Sequence, residues 1–151
     1  MLKYVDTKVV FQEVPDEVTL AINMSNCPCH CEGCHSSYLA EDIGTPLNWN
    51  ALLYDLIPNN KGITCICFMG GDAEPMEIMR LARWIRSRWP EIRTAWYSGK
   101  ESIPEDFDIT CLDYIKLGPY IEALGGLKSP DTNQALYRIA SDATLTRIYI
   151  K

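Results

Sequence analysis

No stretch of this chain approaches the roughly 18 consecutive apolar residues that cross a bilayer. Its opening, MLKYVDTKVVFQEV, alternates apolar with polar residues and lacks the apolar run of a signal peptide. These two absences exclude a helical membrane span and lead to the expectation of a cytoplasmic protein. Positive charge is in deficit, with 14 Lys and Arg against 20 Asp and Glu, a formal net charge of −6. Such a balance argues against a protein that grips nucleic-acid phosphates or an anionic membrane, and points to a protein or small-molecule partner. Repeats, low-complexity tracts and domain linkers are also missing. The 151 residues, 47% of them hydrophobic, suffice for one domain spanning 1–151 with a core of its own.

What the chain has in quantity is cysteine. It carries 7, and four of them share the eight positions of CPCHCEGC, residues 27 to 34, with His30. A cytosol keeps thiols reduced, so an odd set of cysteines marks metal or redox chemistry plus some buried thiols, not a disulfide framework. Around this cluster the hydrophobic pattern alternates between two periods. EVTLAIN (17–23) and GITCICFMGG (62–71) read as strands buried on both faces. Between them, Leu52, Leu53, Leu56 and Ile57 recur at helical spacing and stop at Pro58, as a crossover helix would. Ile78, Leu81, Ala82, Ile85 and Trp89 form a second helical stripe, with Arg80, Arg83, Arg86 and Arg88 largely off it, as a solvated face or one turned to an acidic partner. RTAWYSG (93–99) and DYIKLG (113–118) read as two further strands, and TLTRIYIK (144–151) as an edge strand or hairpin arm. Strands alternating with helices in this order imply a parallel sheet wound in the right-handed sense.

The cysteine cluster therefore follows the first of these strands, at the carboxyl edge where ligands of α/β sheets bind. Cys65 and Cys67, two apart in an apolar strand, share one face and read as small core residues. Two metal readings of the cluster remain open at this point. A structural zinc site needs four protein ligands, commonly in two separated pairs, and no second pair follows; four ligands could still come from within the cluster, Cys27 or Cys29 with Cys31, Cys34 and a histidine. An iron–sulfur cluster is the other, since thiolates hold iron well.

With Cys29 omitted, the spacing is Cys27, three residues, Cys31, two residues, Cys34. That pattern resembles the signature of the radical S-adenosylmethionine superfamily. The resemblance implies that Cys27, Cys31 and Cys34 hold three irons of a [4Fe-4S] cluster, and that the open iron is chelated by the amino and carboxylate groups of S-adenosylmethionine. One electron then breaks a carbon–sulfur bond, releasing methionine and a 5′-deoxyadenosyl radical that removes a hydrogen atom. FMGGDAEP (68–75) is similar to the glycine-glycine-acid motif of the same superfamily. Gly70 and Gly71 would let the backbone approach the methionine part of the cofactor, and Asp72 would accept from its ammonium group. Taken alone, the same residues read as a tight turn with Asp72 capping the arginine-rich helix and Pro75 in its first turn. Tyr97 and Ser98, ending a strand, could face the adenosine or ribose, or simply finish the sheet.

Within the superfamily the chain most resembles the small activating proteins of anaerobic ribonucleoside-triphosphate reductase. CEGC, MGGD, WYSG and SPDTNQALYRI, the last with Asn133 and Gln134, appear in order across residues 20 to 139. His35 stands where that family commonly has an aromatic, and Cys29 is additional. The resemblance implies a partial, laterally open (β/α) barrel of the radical S-adenosylmethionine type with a mainly parallel sheet. It also implies a glycine of the large reductase subunit as substrate, and an electron donor such as flavodoxin or ferredoxin. Activation of another glycyl radical enzyme such as pyruvate formate-lyase, a closed-cluster electron carrier and a zinc module are the alternatives.

Overall fold

A computed structural model describes residues 2–25 and 42–149. These form one eight-stranded sheet: β1 (Lys3–Val10), β2 (Thr19–Met24), β3 (Thr45–Pro46), β4 (Cys65–Met69), β5 (Arg93–Tyr97), β6 (Tyr114–Leu117), β7 (Ala135–Ile139) and β8 (Leu145–Ile148). The spatial order is β3-β1-β2-β4-β5-β6-β7-β8. Helix α1 (Trp49–Ala51) runs directly into a π turn over Leu52–Leu56, α2 spans Pro75–Arg88, and a short 3₁₀ turn covers Ile109–Cys111.

The expected partial barrel with a mainly parallel sheet is not what forms. The sheet is open and mixed. Its parallel pairings are β2–β4, β4–β5 and β5–β6. Antiparallel strands flank this centre on both sides, through β1–β2 and β1–β3 at one edge and β6–β7 and β7–β8 at the other. For β1–β2 and β7–β8 the reason lies in the connections. A parallel crossover needs a dozen or more residues, usually a helix, whereas residues 11–18 between β1 and β2 and 140–144 between β7 and β8 are too few for one. With two short helices among the described residues, the sheet has no ring of helices to close around.

The centre matches the sequence reading more closely. β2 and β4 are apolar on both faces because both faces are covered. Helix α2 buries Ile78, Leu81, Ala82 and Ile85 in a core with Leu20, Ile22, Ile66, Phe68 and Trp96. Each Leu, Ile and Phe among them contributes about 1.5–3 kcal/mol on leaving water. On the other face Cys65, Cys67, Ala95, Tyr114 and Leu136 pack under Val14 of the β1–β2 loop. Cys65 and Cys67 are thus core residues, and burial, aided by the Glu17 carboxylate, pushes the Cys65 thiol up to about 12. Three of the four arginines off the α2 stripe meet this chain's own acids: Arg80 pairs with Glu77 at 2.6 Å, Arg83 with Asp108 at 3.0 Å and Arg86 with Asp113 at 2.9 Å. Among the described residues no helix is long and apolar enough to cross a membrane.

Polar ties fasten the amino edge of the parallel strands. The buried Glu17 carboxylate accepts from Thr64 Oγ1 at 2.5 Å and Tyr114 Oη at 3.1 Å, and pairs with Arg93 Nε at 2.9 Å. These bonds hold β2, β4, β5 and β6 in register at one end and leave the carboxyl ends to the loops that carry the motifs.

Candidate functional site at the carboxyl edge

Register places the carboxyl ends of the parallel strands in one row. Asn23 of β2 pairs with Met69 of β4, Met69 with Tyr97 of β5, and Tyr97 with Lys116 of β6. Met69 leads directly into Gly70, Gly71 and Asp72, and Tyr97 into Ser98 and Gly99. The glycine-glycine-aspartate turn and the WYSG segment are therefore neighbours because β4 and β5 are parallel neighbours.

Hydrogen bonds lock the two segments together. Asp72 Oδ1 accepts from the Ser98 hydroxyl at 2.5 Å, and Oδ2 from the Gly99 N–H at 2.9 Å. Ser98 is fully buried, and its oxygen also accepts from the Lys100 N–H at 3.1 Å. Asp72 does not cap α2: the N-cap is Glu74, which makes no side-chain capping bond, while Pro75 does occupy the first turn. Gly70 and Gly71 have φ of +102° and +86°, which side-chain-bearing residues rarely adopt. A Cβ on Gly71 would stand 2.8 Å from Ile78 Cδ1, whereas one on Gly70 would meet nothing closer than Met24 Cβ at 3.5 Å. Gly71 is thus required by core packing as well as by its backbone angle.

On the sheet face opposite α2, a cleft of about 590 Å³ opens beside this row, lined in part by Glu13, Met69, Tyr97, Lys116, Tyr120 and Gln134. The Tyr97 hydroxyl donates to the Glu13 carbonyl, and burial raises its pKa well above the ordinary tyrosine range. Lys116 is buried, donates to the Gly118 carbonyl at 3.2 Å and lies 5.6 Å from the Tyr97 ring centre. The same carbonyl accepts from Gln134 Nε2 at 3.4 Å, and Asn133 Nδ2 donates to the Pro119 carbonyl at 3.0 Å. Asn133 and Gln134 therefore fasten the 118–119 loop, and Gln134 also lines the cleft.

Compared with family models, curated proteins and solved structures, the chain matches none.

The structure brings Gly70, Gly71, Asp72, Tyr97 and Ser98 to one edge. Tyr97 lines the cleft, and Ser98 turns its hydroxyl to Asp72. Cys27, Cys31 and Cys34, with Cys29, His30 and His35, lie outside the described residues; in sequence Cys27 follows the last residue of β2 by three positions. Among the described residues no group of three or more His, Cys, Asp and Glu could hold a metal ion. Two residues of this edge escaped the sequence reading. Lys116 had a signal, a lone charge inside the apolar run YIKL. Trp96 had none, because an indole in a buried strand reads as packing whatever its N–H meets.

Proposed function

We propose that this chain is an iron–sulfur activating enzyme that uses S-adenosylmethionine, with a glycine of anaerobic ribonucleoside-triphosphate reductase as its target. One observation supports the reading above the others. The two motifs named from sequence, MGGD and WYSG, share one parallel-strand edge and are joined through Asp72, Ser98 and Gly99, beside the strand whose chain continues into CPCHCEGC.

The donor chemistry fits the cofactor pair. Three thiols at the spacing of Cys27, Cys31 and Cys34 suit a [4Fe-4S] cluster with one iron left for a ligand. The backbone at Gly70 has no side chain to obstruct a ligand, and the Asp72 carboxylate stands in the same turn. When bound, the cluster and cofactor supply one electron, a broken carbon–sulfur bond and a 5′-deoxyadenosyl radical able to take the Cα hydrogen of glycine. The chain's own part is to hold and orient. Met69 and Tyr97 set the edge of the cleft, Ser98 and Gly99 fix the Asp72 carboxylate, and no residue of the turn need give or take a proton. A cytoplasmic setting and an electron donor such as flavodoxin or ferredoxin belong to the same proposal.

The test mixes the reduced, reconstituted protein with S-adenosylmethionine and the large reductase subunit under anaerobic conditions, and records the electron paramagnetic resonance spectrum. A glycyl doublet is expected with the native reductase and not with its target glycine replaced by alanine. A doublet only with pyruvate formate-lyase in place of the reductase reassigns the partner. Its absence with both overturns the glycyl radical reading.

A further inference from the structure

Trp96, at the head of WYSG, joins this edge through its indole N–H. Its side chain is fully buried in the core beneath α2 and stacks on Phe107, ring centroids 5.0 Å apart. A buried indole N–H needs an acceptor. Here the acceptor is the Gly70 carbonyl, 2.7 Å from Nε1. The Gly70 N–H in turn donates to the Tyr97 carbonyl at 3.0 Å. Both peptide planes that meet at Gly70 are thus bonded to β5, and the freedom that a glycine would otherwise have is removed. A peptide unit is planar and trans, so the N–H of Gly71 points opposite the Gly70 carbonyl. With that carbonyl turned to the indole, the Gly71 N–H is turned away from the core that holds Trp96.

Resting on the function proposed above, we propose that Trp96 is a positioning residue for S-adenosylmethionine. Its indole N–H fixes the Gly70 carbonyl and thereby aims the Gly71 N–H at the methionine end of the cofactor. A backbone donor oriented before binding costs less ordering when the ligand arrives. Trp96 touches no ligand in this role; it acts through the turn, as Ser98 acts through Asp72.

Trp96→Phe keeps an aromatic ring against Phe107 and deletes the N–H. Trp84→Phe is the control, since Trp84 stacks with Trp49 and Trp89 at centroid distances of 5.1 and 5.2 Å, in a separate aromatic group. Both variants, reconstituted anaerobically as full chains, are compared with the wild type in cofactor affinity and in amide hydrogen exchange. Trp96→Phe is expected to bind S-adenosylmethionine about ten-fold more weakly, the scale of one net hydrogen bond. Exchange should quicken in residues 70–72 and stay unchanged in α2, and Trp84→Phe should change neither. Unaltered affinity in Trp96→Phe overturns the positioning role, and so does a rise in exchange spread evenly over β4 and α2, which would mark a purely structural residue. If Trp96→Phe does not fold, benzothienylalanine at position 96, with sulfur in place of the N–H, gives the same comparison. Wild-type protein that binds no S-adenosylmethionine strikes the function reading itself, an outcome distinct from equal binding by wild type and variant.

Discussion

Asp72 and Ser98 should be energetically coupled, and the size of the coupling follows from the bonds between them. The carboxylate receives a hydroxyl at 2.5 Å and a backbone N–H at 2.9 Å. Hydrogen bonds to a charged group contribute about 1.5–3 kcal/mol each, and the low end applies because Asp72 is only partly buried. Asp72→Ala should therefore destabilise the metal-free protein by about 2–3 kcal/mol. Asp72→Asn should cost roughly 1 kcal/mol less, because the amide oxygen keeps one acceptor while its NH₂ faces the other donor. Ser98→Ala leaves the Lys100 N–H without its acceptor as well, and should cost about 1.5–2 kcal/mol. In the double variant the shared bond is lost once, so the combined cost should fall short of the sum by about 1–1.5 kcal/mol. Urea unfolding of the wild type, Asp72→Ala, Ser98→Ala and the Asp72→Ala/Ser98→Ala double variant under reducing conditions measures this directly. Additivity within about 0.5 kcal/mol would show that the two side chains do not hold one another, and the clamp between the motifs would be wrong.

Gly71→Ala should destabilise the fold more than Gly70→Ala, because both positions have positive φ but only the Cβ at 71 meets a neighbour, Ile78 Cδ1, at 2.8 Å; the difference should be about 1 kcal/mol in urea unfolding, and equal costs would contradict the packing at the turn. Stability should also depend on alkaline pH. Burial raises Cys65 from 9.0 to about 12 and Cys111 from 9.0 to about 11, and raises Cys67 as well. The folded pKa values exceed the unfolded ones, so stability is at its full value below about pH 9 and falls above it, as the unfolded chain releases protons that the folded chain retains. The slope is about 1.4 kcal/mol per pH unit for each thiol while it remains protonated in the fold. Cys65→Ala should remove one such increment, and an unchanged slope would refute its burial as a neutral thiol.

The central parallel strands were legible because each is an apolar run bounded by small or polar residues, and the helices because Leu52 with Leu56, and Ile78 through Ile85, repeat at helical spacing. Of the flanks, TLTRIYIK was legible as an edge strand and hairpin arm, which is β8 against β7; the other two were not. MLKYVDTKVV alternates as a strand does, yet alternation does not say which neighbour it pairs with, and ALYRI lay inside a motif read for its asparagine and glutamine. Both became antiparallel arms, and with them the expected partial barrel became an open mixed sheet. At the site, motif spacing located Gly70, Gly71 and Asp72 at a strand end, where they are. What Asp72 bonds to could not be read, since capping its own helix and accepting from Ser98 and Gly99 place the same demands on residue type. The partners of Ser98 and Trp96 depend on which strands are neighbours, information that local pattern does not contain.

The most direct test of the account is whether the protein cleaves S-adenosylmethionine. The chain is reconstituted with iron and sulfide without oxygen, reduced, given S-adenosylmethionine and assayed for 5′-deoxyadenosine, alongside Cys27→Ala, Cys31→Ala, Cys34→Ala and Cys29→Ala. 5′-Deoxyadenosine is expected from the wild type and from Cys29→Ala, and none from the other three, each of which lacks a thiolate for one iron. No product from a wild-type protein that carries its full cluster would contradict it. So would loss of the cluster in Cys29→Ala together with its retention in Cys27→Ala, because the ligand set would then be a different one.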